Sequence, residues 1–188
     1  MRLIVGISGA TGAIYGIRTL EILRRLGVET HLVISDAGKR TVHLETDYDI
    51  HTIEKMATEV HQIGNIGASI ASGSFKTDGM VIVPCSIKSL SAIANSYNEN
   101  LLIRAADVAI KERRKLVLVV RETPLHLRHL QLMTRVAAAG GVILPPMPAY
   151  YNRPQTMDDI INHTVGKILD QFDLDHTLFT RWRGANGF

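Results

Sequence analysis

The chain has 188 residues, enough for one domain with one sizeable core, and its 46% hydrophobic content lets burial drive folding and argues against a disordered chain. A net charge of +3, from 21 basic and 18 acidic residues, suits anionic small molecules and is too small to point to nucleic acid. The lone cysteine, Cys85, excludes an intrachain disulfide and points to a reducing, cytoplasmic setting, while no apolar run approaches the roughly 20 residues of a membrane span.

Residues 3–7 read as a first strand. Gly6, Ser8, Gly9, Thr11 and Gly12 break the apolar run too early for a signal peptide. A helix is predicted over 13–26, with Ile14, Ile17, Leu20, Ile22 and Leu23 on its buried side. A strand over 30–34, a helix over 36–46 and a short helix over 51–59 follow. Residues 64–79, rich in Gly, Ser and Ala, read mostly as loop. A third strand over 80–83 is expected to stop at Pro84, with Ser86 capping the next helix. Then come a helix over 101–113 and a near-continuous aliphatic strand over 116–120, typical of a central parallel strand. Thr123 and Pro124 read as N-cap and first position of a helix to about 139. A fifth strand over 142–144, a proline-rich loop and a last helix over about 156–172 complete the chain. Thr156 and Asp159 form a variant capping box at its start. The alternation predicts a doubly wound parallel sheet in three layers, which binds ligands beyond the carboxyl ends of its strands.

The segments after each strand therefore carry the candidate chemistry. Gly6-Ile7-Ser8-Gly9-Ala10-Thr11-Gly12-Ala13 offers a tight glycine turn, hydroxyl donors on Ser8 and Thr11, and a helix amino end suited to a single phosphate. Neither the P-loop ending nor the G-x-G-x-x-G spacing is present. Ser35 reads as a helix cap with Asp36 in the first turn, in preference to a ribose-binding acid. Ser86 and Ser89 make a second donor cluster; Cys85 beside them reads as a buried small hydrophobe more than as a nucleophile. Arg104 and Lys111, seven apart, share a helix face that either holds an anion or is simply solvated. Arg121-Glu122 follows the central strand, where an Arg can bind an anion and a Glu can move a proton; the alternative is a local salt bridge. Glu45 lies near a helix carboxyl end, where an acid is unfavourable, and this hints at another use. His126 and His129 have metal-pair spacing without a third ligand, and no metal motif occurs elsewhere.

Taken together these segments resemble the flavin prenyltransferase family of UbiX/Pad type, over nearly the whole chain. The carriers are the opening glycine turn, Leu44-Glu45-Thr46, Ala71-Ser72-Gly73-Ser74-Phe75, Met80 to Ser86, Arg104-Ala105-Ala106-Asp107-Val108 with Lys111-Glu112-Arg113, Val120 to Leu125, Pro145 to Tyr151, and Arg181-Trp182. The resemblance implies a flavodoxin-like, Rossmann-like fold and a homododecamer with sites at subunit interfaces. It implies reduced FMN and dimethylallyl phosphate as substrates, metal-independent transfer, and prenylated FMN as product for a UbiD-type decarboxylase. By the same resemblance Gly9, Ala10, Thr11, Ser35, Ser86, Ile87, Lys88, Ser89 and Arg121 bind FMN. Arg104, Lys111, Tyr151 and Lys167 surround the dimethylallyl phosphate, Trp182 helps close the site, and Glu45, Glu122 and Thr11 take part in catalysis.

Two positions depart from the family pattern. Thr11 stands where many members carry Ser, and Lys167 where Arg is frequent, which keeps the charge and loses the bidentate fork. Flavin-dependent cysteine decarboxylases of similar fold carry a Pro-x-Met-Asn-x-x-Met-Trp segment. The comparable stretch here, Pro146-Met147-Pro148-Ala149-Tyr150-Tyr151, lacks it. A non-catalytic FMN-binding subunit of a decarboxylase is the other alternative.

Overall fold

Six parallel strands, β1 (Arg2–Ile7), β2 (Glu29–Ile34), β3 (Glu59–His61), β4 (Gly79–Cys85), β5 (Lys115–Val120) and β6 (Val142–Ile143), form one sheet in the order β3-β2-β1-β4-β5-β6. The computed structural model describes residues 1–182 and 184. Seven helices, α1 (Ala13–Arg25), α2 (Asp36–Glu45), α3 (Ile50–Glu54), α4 (Ile87–Ala94), α5 (Leu101–Lys111), α6 (Leu127–Ala138) and α7 (Met157–Asp170), cover its two faces. Without the three-residue β3, the strand order is that of flavodoxin-like sheets. The order reverses between β1 and β4, and a crevice opens there at the carboxyl ends.

Strand alternation divides the core. Leu3, Val5 and Ile7 join Val81, Val83, Val117 and Val119 under α1 and α7. Ile4, Met80, Ile82, Leu116, Leu118 and Val120 point the other way, against apolar residues of α4 and α5. Burial on both sides makes β4 and β5 read as unbroken apolar runs. Among the described residues no helix is long and apolar enough to cross a membrane.

The structure departs from the sequence expectations at Pro84, at Thr123–Pro124 and after Glu54. β4 does not stop at Pro84 but continues to Cys85 through a cis Val83–Pro84 peptide, with the β5 register shifting between Ile82 and Cys85. Proline has no N–H to give the ladder, so pairing skips it and resumes. The Thr123–Pro124 peptide is also cis, and α6 starts only at Leu127, where the His126 Nδ1 accepts the Arg128 N–H at 3.1 Å. The Thr123 N–H is taken by the Glu122 carboxylate at 3.0 Å, so a turn replaces the expected helix start. The short helix ends at Glu54, and β3 then adds an edge strand that no periodicity announced. The 64–79 loop contains a single 3-10 turn, Ser69–Ala71. The Thr156–Asp159 capping box is present as expected.

Candidate functional site

The glycine turn after β1 is tied to the turn after β4 by Ser8. This buried hydroxyl donates to the Pro84 carbonyl at 2.9 Å and accepts the Ser86 N–H at 2.8 Å. Ser8 is therefore a strut between the two turns and not the ligand donor the sequence suggested, because both its hydrogen-bonding directions are used internally. Gly9 lies against the first turn of α2, where an added Cβ would meet the Ala37 Cβ at 2.3 Å. Gly12 has φ +97°, the left-handed region, and lies under the Tyr15 ring.

The amino end of α1 is not open to an external phosphate. One oxygen of Glu45, Oε2, accepts the Gly12 N–H at 2.8 Å and the Ala13 N–H at 3.1 Å. Glu45 ends α2, where the helix field disfavours an acid, and the adjacent start of α1 offers the opposite field. This is the other use its position hinted at. A ligand anion at this turn must use the remaining donors of residues 9–11 and the neighbouring helix starts.

Two such starts flank it. The Ser35 Oγ accepts the Gly38 N–H at 3.0 Å, so it caps α2 as expected, with Asp36 in the first turn. The Ser86 Oγ caps α4 by accepting the Ser89 N–H at 3.2 Å and donates to the Ser89 Oγ at 3.1 Å. Ile87 is half-buried. Lys88 is exposed and pairs with Glu99 at 3.2 Å. The Arg121 N–H donates to the Cys85 carbonyl at 3.1 Å, which fixes the end of β5 beside the end of β4. Cys85 is fully buried, and burial pushes its thiol pKa up to about 12, so it is a protonated core residue and no nucleophile.

A cavity of about 480 Å³ opens here, bordered by Thr11, Gly12, Tyr15, Glu45, Arg121 and Pro146, with Met157 and Ile161 of α7 on its far side. Its size suits a cofactor-sized ligand. Arg121 supplies a cation, Thr11 a hydroxyl, and Ile14 and Ile161 apolar wall. Burial raises the Tyr15 phenol pKa against the lowering influence of Thr164 and Arg121, so the ring stays neutral. Tyr15, Met157 and Ile161 were not singled out in the sequence, and Thr46 was named only within the Leu44-Glu45-Thr46 segment. The signal for Tyr15 was present, since it lies in the first turn of the helix that the glycine loop opens.

Other sequence candidates lie apart from this cavity within one chain. α5 runs back from the carboxyl edge of the sheet, so Lys111 ends beside the start of β5, at the opposite edge. Lys111 pairs with Glu112, while Arg104 donates to the Ala71 carbonyl at 3.2 Å and pairs with Asp107 at 3.3 Å. Glu122 is exposed on the loop after β5. Tyr151, Lys167 and Trp182 form a third group. The Tyr151 hydroxyl lies 2.9 Å from the His163 Nε2, and its ring meets Trp182 edge to face at 5.8 Å. Lys167 pairs with Asp170 at 3.3 Å, and Asp170 also receives Arg181 at 2.6 Å and His176 at 3.1 Å. His126 serves as the α6 cap, with its ring centroid 3.5 Å from that of His129.

Residues 1–169 match the Flavoprotein family. Across 184 residues the chain is 67% identical to the flavin prenyltransferase UbiX of Thauera aromatica, covering 98% of this chain and 95% of that one. The chain belongs to the UbiX flavin prenyltransferase family. The UbiX of Escherichia coli K12 is 59% identical over 187 residues, covering 98% and 99% of the two chains. Among solved structures, AnUbiX (PadA1) in complex with FMN and dimethylallyl pyrophosphate superposes with a TM-score of 0.96 at 50% identity, covering 97% of each chain. A dodecameric FMN-dependent UbiX-like decarboxylase from Escherichia coli O157:H7 superposes equally well, at 49% identity over 98% and 100% of the chains. The peptidyl-cysteine decarboxylase EpiD, at 13% identity, TM-score 0.64 and coverage of 91% and 97%, shares the fold alone. The UbiX relationship, the flavodoxin-like fold and the assignment to prenyl transfer agree with the sequence reading.

Proposed function

We propose that the chain transfers the dimethylallyl group of dimethylallyl phosphate to reduced FMN, giving prenylated FMN for a UbiD-type decarboxylase in the cytoplasm. The observation that carries this reading is the cavity at the β1/β4 reversal, where Thr11, Glu45 and Arg121 converge, next to a glycine turn that also touches the serine-capped starts of α2 and α4. Gly9, Ala10, Thr11, Ser35, Ser86, Ile87, Lys88, Ser89 and Arg121 are the residues that would hold FMN. The serine hydroxyls and helix-start N–H groups suit its phosphate, and Arg121 suits an electron-rich ring edge. Reduced FMN supplies the nucleophilic ring and an aromatic face.

Breaking the allylic C–O bond leaves negative charge on the departing phosphate, which cations and hydroxyls must meet. Arg104, Lys111, Tyr151 and Lys167 have the right chemistry. Lys111 lies at the far edge of its own sheet, which supports a site whose α5 comes from a neighbouring copy. A dodecameric relative supports a homo-oligomer of that kind, and a dodecamer is the state we propose. Proton removal falls to Glu122, Glu45 or the released phosphate. Glu45 reaches the cavity with one oxygen already held by α1, a fixed position that suits a proton acceptor. Thr11 borders the same space, and Trp182 would help to close it. The arrangement of cations asks for no metal in the transfer.

The test is anaerobic incubation of purified protein with reduced FMN and dimethylallyl phosphate, with dimethylallyl pyrophosphate and a cysteinyl peptide in parallel. Mass spectrometry should show flavin enlarged by one dimethylallyl unit. Carbon dioxide released from the peptide instead, or flavin bound without turnover, would overturn the reading.

A further inference from the structure

At the other edge of the molecule, on β2 and β3, three metal-competent side chains converge. His31 faces the α5 side of the sheet and is paired in register with Glu59, two residues before His61. Both imidazoles are buried, at 2% and 7% exposure. The His31 Nδ1 and His61 Nε2 lie 2.9 Å apart. The Glu59 carboxylate reaches the first through Oε2 at 3.5 Å and the second through Oε1 at 3.6 Å. Donor atoms around a tetrahedral zinc ion with ordinary bond lengths are about 3.3 Å apart, and one donor atom from each of the three side chains lies within 4.8 Å of the other two.

The surroundings suit a cation. Glu29 lies 3.1 Å from the His31 Nε2, which holds the proton on that nitrogen and turns the Nδ1 lone pair toward His61 and Glu59. Glu29 is itself held by Arg2 at 2.7 Å. The two carboxylates exceed the one guanidinium by a single negative charge, which favours a cation over an anion here. Phe75 packs edge-on against His31 at 5.0 Å and shields the inner side. Glu59 is more than half exposed, so water can enter and fill a fourth position.

We infer that His31, Glu59 and His61 form a binding site for a borderline divalent transition ion, with zinc the best match, that ties the edge strand β3 to β2. The site lies mid-strand on β2 toward the sheet edge, its residues border no part of the cavity described above, and it is independent of the prenyl-transfer reading. No metal-ligand spacing announces it in the sequence, because the ligands come from two strands.

Chelator-treated full-length protein titrated with Zn²⁺ by calorimetry, and with Co²⁺ by visible absorption, tests it. The expected result is one Zn²⁺ per chain and the intense absorption of four-coordinate Co²⁺. Glu59→Gln, an exposed change that leaves the imidazole pair intact, should weaken Zn²⁺ about tenfold or more, and His61→Ala should abolish the Co²⁺ band. His126→Ala with His129→Ala should leave both signals in place. Zn²⁺ uptake that is absent, that is unaffected by Glu59→Gln, or that vanishes with His126 and His129 instead overturns the proposal.

Discussion

The Glu45 carboxylate accepts the Gly12 N–H at 2.8 Å, so the last residue of α2 caps the start of α1. Gly12 itself has no side-chain cap to offer. Removing the carboxylate with Glu45→Ala orphans two N–H groups and should cost about 1 kcal/mol, the usual scale of an exposed cap. Glu45→Gln keeps an acceptor and should recover most of that stability in urea denaturation. If Glu45 also moves a proton, Glu45→Gln will still turn over slowly while folding normally. Wild-type turnover in Glu45→Gln would restrict the residue to capping.

The placement of Lys111 at the amino edge of the sheet and Arg121 at the carboxyl edge yields a subunit-mixing experiment. Lys111→Ala and Arg121→Ala should each be nearly inactive alone. If one copy provides α5 and another the cavity, randomly reassembled mixtures should regain about a quarter of wild-type sites, the statistical yield of a two-chain site. No recovery after verified subunit exchange would show that both residues serve the same chain's site.

Much of the fold was legible because burial leaves a one-dimensional trace. The aliphatic run of β5 and the Thr156–Asp159 box of α7 are local and appear where expected. What was hidden is non-local. Position alone marked Glu45 as misplaced on α2, but its partners lie more than thirty residues earlier. Ser8 looked like a ligand donor until the Pro84 carbonyl and Ser86 N–H used both its directions. β3 has three residues, two of them exposed, too few to show a period. Arg104 and Lys111 share a helix face as the spacing said, yet spacing cannot say which chain's cavity they meet.

Asp170 makes the carboxy-terminal segment acid-sensitive. Burial alone would raise its pKa, but hydrogen bonds from Arg181, His176 and Lys167 outweigh it and hold the value at about 2. A folded-state pKa below the unfolded one contributes stability that is present at neutral pH and lost as pH falls through the folded value. The window runs from about pH 4 down to pH 2, and the contribution is of order 2 kcal/mol at most. Trp182, the only tryptophan, packs on Tyr151 beside this cluster. Its fluorescence should shift in that window, and Asp170→Asn should show the shifted spectrum already at pH 7. An unchanged spectrum in Asp170→Asn would mean that Asp170 does not dock the segment.

Cys85, with its thiol raised to about 12 and no exposure, should be silent toward thiol reagents in the native state. Labelling should appear only on unfolding, and Cys85→Ala should keep turnover. Rapid native labelling or lost turnover in a folded Cys85→Ala protein would restore the cysteine as a participant.

Gly9 and Ala37 give the most direct probe of how the turn shapes the cavity. A Cβ at Gly9 would sit 2.3 Å from the Ala37 Cβ, an impossible approach, so Gly9→Ala must push the glycine turn away from α2. Overpacking of this kind costs about 1–3 kcal/mol. If the cost falls on the bound geometry, FMN affinity drops by about tenfold or more. Removing the opposing methyl with Ala37→Gly takes away the 2.3 Å contact and leaves only tight ones of 3.1 and 3.2 Å with the Ala37 backbone. The double variant should therefore regain much of the lost affinity, although Ala37→Gly alone weakens the first turn of α2. Fluorescence titration of FMN against the four proteins measures the coupling. Additive losses would show that the turn and α2 do not set the flavin site together, and a full effect from Gly9→Ala with rescue would show that their contact does.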